Sequence, residues 1–141
     1  MLVGTYDHRV DSKGRMVLPA RFREELGSGV VATVGIDRCV VLYALPEWER
    51  LLNKLQGLPM TKGKTRDLLR VLLASATEME FDAMGRILLP PFLRQHGDLH
   101  QEVCVIGVGD HLEIWDSQHW ASHRAGILES LPSIAEEVEG L

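Results

Sequence analysis

A nine-residue segment near the start of the chain occurs twice, and this duplication constrains the possible folds more than any other feature. Residues 11–19 read Asp-Ser-Lys-Gly-Arg-Met-Val-Leu-Pro, and residues 82–90 read Asp-Ala-Met-Gly-Arg-Ile-Leu-Leu-Pro, with five of nine positions identical. The same offset brings Arg23 onto Arg94. After one inserted residue, two aromatic pairs follow: Tyr43 with Trp115, and Trp48 with Trp120. Order and spacing kept over this length indicate a duplicated structural unit.

The Asp-x-x-Gly-Arg motif predicts a tight turn between two strands in each copy. Extended segments precede each Asp, at residues 2–6 and 77–81, and aliphatic residues follow each Arg. A carboxylate can accept bonds from amides two residues on, and glycine adopts positive φ without strain. The turn-forming residues are therefore Asp11 and Gly14 in the first copy, and Asp82 and Gly85 in the second.

A short helix should follow the second strand of each copy. Pro19 suits its first position, because a helix needs no N–H there, and Phe22 and Leu26 lie four residues apart on one face. Gly27 can cap this helix, and Gly97 is its counterpart in the second copy. Phe22 and Leu26 are expected in the core.

The remaining segments predict two hairpins and three longer helices. Hairpins are expected around residues 35–38 and 108–111, where turn residues separate β-rich runs. Helical periodicity begins at residue 46 and again at residue 116, where Asp116 or Ser117 can serve as the N-cap. The expected divisions are residues 1–56, first repeat with its trailing helix; 57–74, connector helix; 75–128, second repeat with its trailing helix; and 129–141, acidic tail.

The charge distribution favours a polyanion as a partner of one face. The chain carries a net charge of −5, yet residues 1–23 carry +3, residues 62–70 carry +3 and residues 78–141 carry −9. This asymmetry indicates a basic surface separated from an acidic one. Solvated charge without any partner is the alternative.

Several classes of protein are disfavoured by the sequence. No apolar run approaches the roughly 20 residues that a transmembrane helix needs, and the first residues lack the layout of a signal peptide. Cys39 and Cys104 lie in apolar, strand-like runs, which predicts buried free thiols in a reducing cytoplasm.

Two histidine pairs raise the question of a metalloenzyme. His96 and His100 lie four residues apart, as do His119 and His123, and such spacing can suit zinc on a helix. Gly97 interrupts the first pair, and neither pair contains the glutamate of the metalloprotease arrangement. We therefore expect surface histidines, no metal, no cofactor, no small-molecule substrate and no enzymatic activity.

The doubled motif, followed by Leu-Tyr-x-x-x-x-Trp in one copy and Ile-Trp-x-x-x-x-Trp in the other, resembles the bacterial MraZ proteins. These are a two-copy branch of the AbrB-type swapped-hairpin DNA binders. The resemblance implies an α+β, mainly β fold, in which two tandem AbrB-like swapped-hairpin units form a pseudo-twofold small barrel with flanking helices. It also implies a ring-shaped homo-oligomer, a cytoplasmic and nucleoid-associated location, and transcriptional regulation through repeated promoter sites of the division and cell-wall gene cluster.

The DNA-contacting loop of that family matches residues 11–15 and 82–86. Met84 stands where the first copy has Lys13, so we expect the first loop to contribute more. Arginine can form two hydrogen bonds with a guanine edge, while other cations neutralise phosphates of double-stranded DNA. The candidate DNA-binding residues are Arg15, Lys13, Arg86, Arg9, Arg21 and Arg23.

Two alternatives remain open at this stage. Each Asp and Arg can simply pair to hold its turn, without contacting DNA. The basic face of the first repeat can also bind a protein, because related swapped-hairpin folds serve as antidotes that bind a toxin.

Overall fold

The computed structural model describes all 141 residues and contains eight strands and six helices. Each copy runs strand, turn, strand, short helix, strand, strand, helix, in the predicted order. The strands are β1 Leu2–Arg9, β2 Arg15–Val17, β3 Gly29–Val34, β4 Val40–Ala44, β5 Thr77–Glu80, β6 Arg86–Leu88, β7 Glu102–Gly109 and β8 Leu112–Asp116. The helices are α1 Ala20–Leu26, α2 Leu45–Gln56, α3 Gly63–Ala74, α4 Pro91–His96, α5 Ser117–Glu129 and α6 Leu131–Glu137.

Six of the strands form one antiparallel sheet in the order β1-β7-β8-β4-β3-β5, and β2 pairs with β6 in a separate ribbon. The predicted hairpins β3–β4 and β7–β8 are confirmed. If each strand is exchanged for its counterpart in the other copy, the same strand order is obtained, read from the opposite edge of the sheet. The topology therefore has a pseudo-twofold axis between β4 and β8. The fold is α+β and mainly β, as predicted.

The strands on either side of each Asp-x-x-Gly turn pair with the other copy and not with each other. β1 pairs with β7 from Leu2 opposite Gly109 to Arg9 opposite Glu102, and β5 pairs with β3. In the ribbon, Met16 lies opposite Ile87, and both side chains are buried. Neither copy could satisfy its strands alone, so the copies fold as one body.

The predicted closed barrel is not present, because the eight strands form two separate sheets and not one hydrogen-bonded cylinder. β1 and β5 are the two edges of the six-stranded sheet, and the β2–β6 ribbon is a separate sheet. The ribbon strands have only three residues each and run at once into Pro19 and Pro90. Proline has no N–H to continue a ladder, so these strands are too short to join the sheet edges.

The main core lies between the sheet and the layer made by the ribbon with α1 and α4. Phe22 is fully buried there and Leu26 is 3% exposed, which confirms their predicted place. A smaller cluster on the opposite face contains Cys39 and Cys104, both buried free thiols as predicted. Tyr43 and Trp120 pack against this second cluster.

The helix ends follow local sequence with one difference between the copies. Gly27 ends α1 with φ +82°, the left-handed conformation that favours glycine. In the second copy Gly97 is the C-cap of α4, as predicted, with a right-handed φ of −77°. Asp98, which lies 71 positions after Gly27, has the positive φ of +48° in this copy.

The predicted connector helix is α3, and the hydroxyl of Thr33 on β3 donates to the Leu72 carbonyl at 2.7 Å. Asp116 caps α5, as predicted, by accepting from the N–H of His119. None of the six helices is long and apolar enough to cross a membrane.

Candidate nucleic-acid interface

Each Asp-x-x-Gly-Arg turn is closed by the carboxylate of its own aspartate. Asp11 Oδ1 accepts from the backbone N–H groups of Lys13 and Arg15, both at 2.9 Å. The N–H of Gly14 donates to the Asp11 carbonyl at 3.0 Å, and Gly14 has φ +88°. Asp82 makes the same bonds in the second copy, where Gly85 has φ +76°. Local side-chain chemistry therefore sets the shape of both turns.

The arginine of each turn is held by that same carboxylate through a single nitrogen. Arg15 Nε donates to Asp11 Oδ2 at 2.9 Å, and Arg86 Nε donates to Asp82 Oδ2 at 2.8 Å. The terminal Nη groups form no hydrogen bond within the protein, so each guanidinium is oriented but keeps two donor groups free. The backbone N–H of Arg15, and then its guanidinium, hold the pKa of Asp11 below its usual value. Asp11 is therefore ionised and keeps its hold on Arg15 at neutral pH.

Both arginines lie on the outward face of the β2–β6 ribbon. Arg15 is opposite Leu88 and Val17 is opposite Arg86, while Met16 and Ile87 between them point into the core. The arginines are thus diagonal neighbours across the ribbon, a relation that separates Cα atoms by roughly 7–8 Å. The pseudo-twofold fold brings together two motifs that lie seventy-one positions apart in sequence.

Each turn is also covered by one further arginine, which belongs to the opposite copy. Arg94 on α4 donates from Nε to the Leu89 carbonyl at 3.1 Å, and its guanidinium covers Gly14 so closely that a Cβ there would lie 2.9 Å from Nε. Arg23 on α1 donates to the Leu18 carbonyl at 3.0 Å and covers Gly85 in the same way. Sequence reasoning missed Arg94 as a site residue, although its correspondence with Arg23 was the signal that could have found it.

The other predicted site residues lie at different distances from the ribbon. Lys13 is exposed at the tip of the first turn and forms no ion pair. Arg9 ends β1 and pairs with Glu102 at 3.1 Å, in an exposed contact that stabilises little. Arg21 lies over the Phe22 ring and beside Gly4, near the end of β1 opposite to Arg9. Unlike Arg23 and Arg94, it does not cover the glycine of a turn.

The ribbon surface is strongly basic within an acidic chain. Five cations, opposed by Asp11 and Asp82, give it a net charge of +3, whereas the whole chain carries −5. Two exposed apolar side chains, Met84 and Leu88, complete its solvent-facing surface. The cations are Lys13, Arg15, Arg23, Arg86 and Arg94. Such a patch attracts polyanions and offers paired donors to them.

The histidine pairs singled out in the sequence do not act as pairs. His96 Nε2 donates to the Gly35 carbonyl at 2.8 Å, whereas His100 Nδ1 donates to Asp116 at 3.0 Å. His123 stacks on Trp115 with ring centroids 5.1 Å apart. No group of three or more His, Cys, Asp or Glu side chains in the structure is arranged to hold a metal ion.

The contact between His100 and Asp116 predicts a pH-dependent stability. The hydrogen bond to Asp116 raises the pKa of His100 above its ordinary value of 6.5. Burial raises the pKa of Asp116, but hydrogen bonds from His100 and His119 outweigh it, so the net shift is downward. A raised histidine pKa stabilises the fold fully below the unfolded value, and this stabilisation is lost as pH rises through the folded value.

We therefore expect the urea midpoint of the wild-type protein to decrease as the pH rises above the ordinary histidine value of 6.5 and through the higher pKa of His100. His100→Gln should remove the His100 part of this dependence and leave the part due to His111, whose pKa is raised by Glu113. His8→Gln is the control, because His8 forms no ion pair in the structure. Equal pH dependence in the wild type and His100→Gln would contradict the assignment.

The amino-acid sequence places the chain in a family of known proteins. The sequence profile of the MraZ protein family, described as antitoxin-like, matches residues 1–71 and again residues 72–138. A protein of Caldanaerobacter subterraneus named transcriptional regulator MraZ is 44% identical over 139 residues, covering 99% of this chain and 97% of its own length. Proteins of the same name from Halothermothrix orenii and Caldicellulosiruptor saccharolyticus are 43% and 45% identical, covering 100% of this chain and 99% of their own lengths.

Proposed function

The chain belongs to the MraZ family, and from this premise we propose that it is a sequence-specific DNA-binding transcriptional regulator. Its targets are repeated promoter sites of the division and cell-wall gene cluster, including its own promoter. It acts in the cytoplasm, at the nucleoid, as a ring of several copies. The names of its relatives and the basic ribbon support this proposal from independent directions.

The observation that carries the proposal is the arrangement of Arg15 and Arg86. Each guanidinium is anchored through Nε and keeps its Nη groups free, on the outward face of a two-stranded ribbon. The major groove of DNA is wide enough to admit such a ribbon, and two parallel N–H groups match the O6 and N7 acceptors of guanine. Arg15 and Arg86 would read base edges, while Lys13, Arg23 and Arg94 would contact phosphates.

The peripheral cations have a smaller part in this mechanism. Arg9 forms an ion pair with Glu102, and Arg21 lies over the Phe22 ring and beside Gly4 near the start of β1. We assign both to phosphates that flank the central contact, where they add to counterion release without reading sequence. We expect the first turn to contribute more to DNA affinity than the second, because Lys13 carries a positive charge and Met84, at the corresponding position, carries none.

The architecture we propose follows the two copies. Residues 1–56 and 75–128 act as AbrB-like swapped-hairpin units, with residues 57–74 as connector and residues 129–141 as an acidic tail. The pairing of β1 with β7 and of β5 with β3 supports this division, because each unit supplies an edge strand to the other. Several chains in a ring would present the same ribbon at regular intervals and raise affinity for repeated sites through effective concentration.

The test is fluorescence anisotropy with a labelled duplex from upstream of the protein's own gene, titrated beside a scrambled duplex at several salt concentrations. We expect the native duplex to bind about a thousandfold or more tighter than the scrambled duplex. The logarithm of the association constant should fall linearly with the logarithm of the salt concentration. Equal and weak binding to both duplexes would contradict the proposal.

A protein partner is the second candidate, favoured by the antitoxin-like description of the family. Under this alternative the same basic ribbon binds an acidic protein surface. The anisotropy titration separates the two functions, because a chain whose ribbon binds only an acidic protein surface should not prefer the native duplex over the scrambled one.

A further inference from the structure

The two C-terminal helices, α5 and α6, leave apolar side chains exposed to solvent. Neither α5 nor α6 contains a buried residue. Leu131 is 47% exposed, Ile134 39% and Val138 52%, and their spacing of three and four places them on one face of α6 and its end. This spacing is typical of an amphipathic helix that docks in a groove.

The same segment is purely acidic. Residues 129–141 contain four glutamates and neither lysine nor arginine, so they carry a charge of −4. Glu136 and Glu137 lie on α6, and Glu129 and Glu139 lie on either side of it. Helix α6 therefore combines an apolar face with a high density of negative charge.

A groove of complementary character, called here the α2–α3 groove, lies along α3 beside the C-terminal end of α2. It has a volume of about 640 Å³, and its walls are mostly apolar side chains with two arginines at the rim. Met60 at its mouth is 50% exposed. The lining residues are Gln56, Met60, Arg66, Leu69, Arg70, Leu73 and Ala74.

The rim of this groove is basic. Residues 62–70 carry a net charge of +3, opposite in sign to the tail. Arg66 donates to the Met60 carbonyl at 2.9 Å, and Arg70 pairs with Asp67 in an exposed contact. At 1.5 Å per residue, α6 with its seven residues is about 10 Å long, and the part of α3 that lines the groove, from Arg66 to Ala74, is about 12 Å long. The groove is therefore long enough to accept α6 along its axis.

We propose that α6 of one copy docks, apolar face inward, into the α2–α3 groove of a second copy. Within one chain α6 follows and packs against α5, which lies on β7 and β8, whereas α3 lies on β3, towards the opposite end of the six-stranded sheet. The contact joins two different surfaces, so each chain supplies one helix and one groove. Such a heterologous contact repeats from copy to copy and closes into a ring if the rotation permits.

This inference deepens the assembly part of the proposed function, and mass measurements without DNA test it separately from DNA binding. Two variants reverse the charges: Arg66→Glu with Arg70→Glu in the groove, and Glu136→Lys with Glu137→Lys on α6. At micromolar concentration we expect each variant alone to sediment as a monomer. An equimolar mixture should recover the wild-type mass, because each variant's groove then matches the other's helix.

The control is Arg38→Glu with Arg50→Glu, which changes the net charge by the same amount as the groove variant but alters no groove residue. Circular dichroism melts of all three variants check that the fold is intact. Wild-type mass in either reversed variant, no recovery on mixing, or a monomeric wild-type protein would each overturn the proposal.

Cross-linking gives a second readout that tolerates partial changes in affinity. Met60→Cys and Ile134→Cys are made in separate chains, mixed and treated with a short bismaleimide, while the native cysteines stay buried. We expect a covalent dimer only in the mixture, and none when the highly exposed Ile36→Cys replaces Met60→Cys. With both cysteines in one chain, cross-linking only within that chain would show that α6 occupies its own groove and would overturn the contact between copies.

Discussion

Replacing Arg15 with alanine weakens binding to the native promoter duplex by roughly ten- to a hundredfold, because a bidentate contact with a base contributes about 1–3 kcal/mol of discrimination. Asp11 already orders the guanidinium through Nε, so little side-chain freedom is lost when the Nη groups engage the base. Affinity for the scrambled duplex should fall much less. The measurement is the same anisotropy titration at a fixed salt concentration.

Arg15→Lys separates base recognition from simple charge attraction. Lysine keeps the charge but cannot be held by Asp11 through one nitrogen while offering a planar pair of donors. We expect Arg15→Lys to bind nearly as weakly as Arg15→Ala, and Arg86→Ala to show a smaller loss than Arg15→Ala. Arg50→Ala is the control, because Arg50 is 75% exposed and pairs with Glu47 on α2. Wild-type affinity in Arg15→Ala, with mass unchanged, would remove Arg15 from the site.

Gly14→Ala should lower the free energy of unfolding by about 2–4 kcal/mol, combining backbone strain with a steric overlap. Gly14 has φ +88°, and a Cβ there would lie 2.7 Å from the Leu89 carbonyl oxygen and 2.9 Å from Arg94 Nε. The Leu89 N–H also donates to the Gly14 carbonyl at 2.8 Å, so the two backbones cannot separate without losing this bond. Urea unfolding monitored by circular dichroism measures the loss.

Gly27→Ala is the matched control for this prediction. Gly27 has a similar φ of +82°, but no atom lies within 4 Å of a Cβ built there. Its cost should be the backbone strain alone, about 1–3 kcal/mol, because Gly27 with ψ −159° lies in a region that is essentially restricted to glycine. The loss for Gly85→Ala should fall between the two, since the atoms nearest to the added Cβ belong to the flexible side chain of Arg23. Equal losses for Gly14→Ala and Gly27→Ala would show that the close approach of the two copies contributes nothing.

The amino-acid sequence by itself determined the features that depend on neighbouring residues. The Asp-x-x-Gly turns could be predicted because Asp11 bonds to amides two and four residues away. The Asp116 cap and the connector helix α3 could be predicted for the same reason, since capping and helical periodicity are local. Burial of Phe22 and of both cysteines followed from their apolar surroundings.

Only the tertiary structure decided which strands pair and which cations meet. The two copies contain nearly equivalent strands, so local sequence does not distinguish pairing of β1 with its own copy from pairing with β7. The choice rests on burying Met16 beside Ile87, and that contact joins residues 71 positions apart. The pairing between the two copies also places Arg94 over Gly14 and Arg23 over Gly85. Local hydrogen bonds set each turn, whereas the burial of apolar side chains between the copies assembled the site.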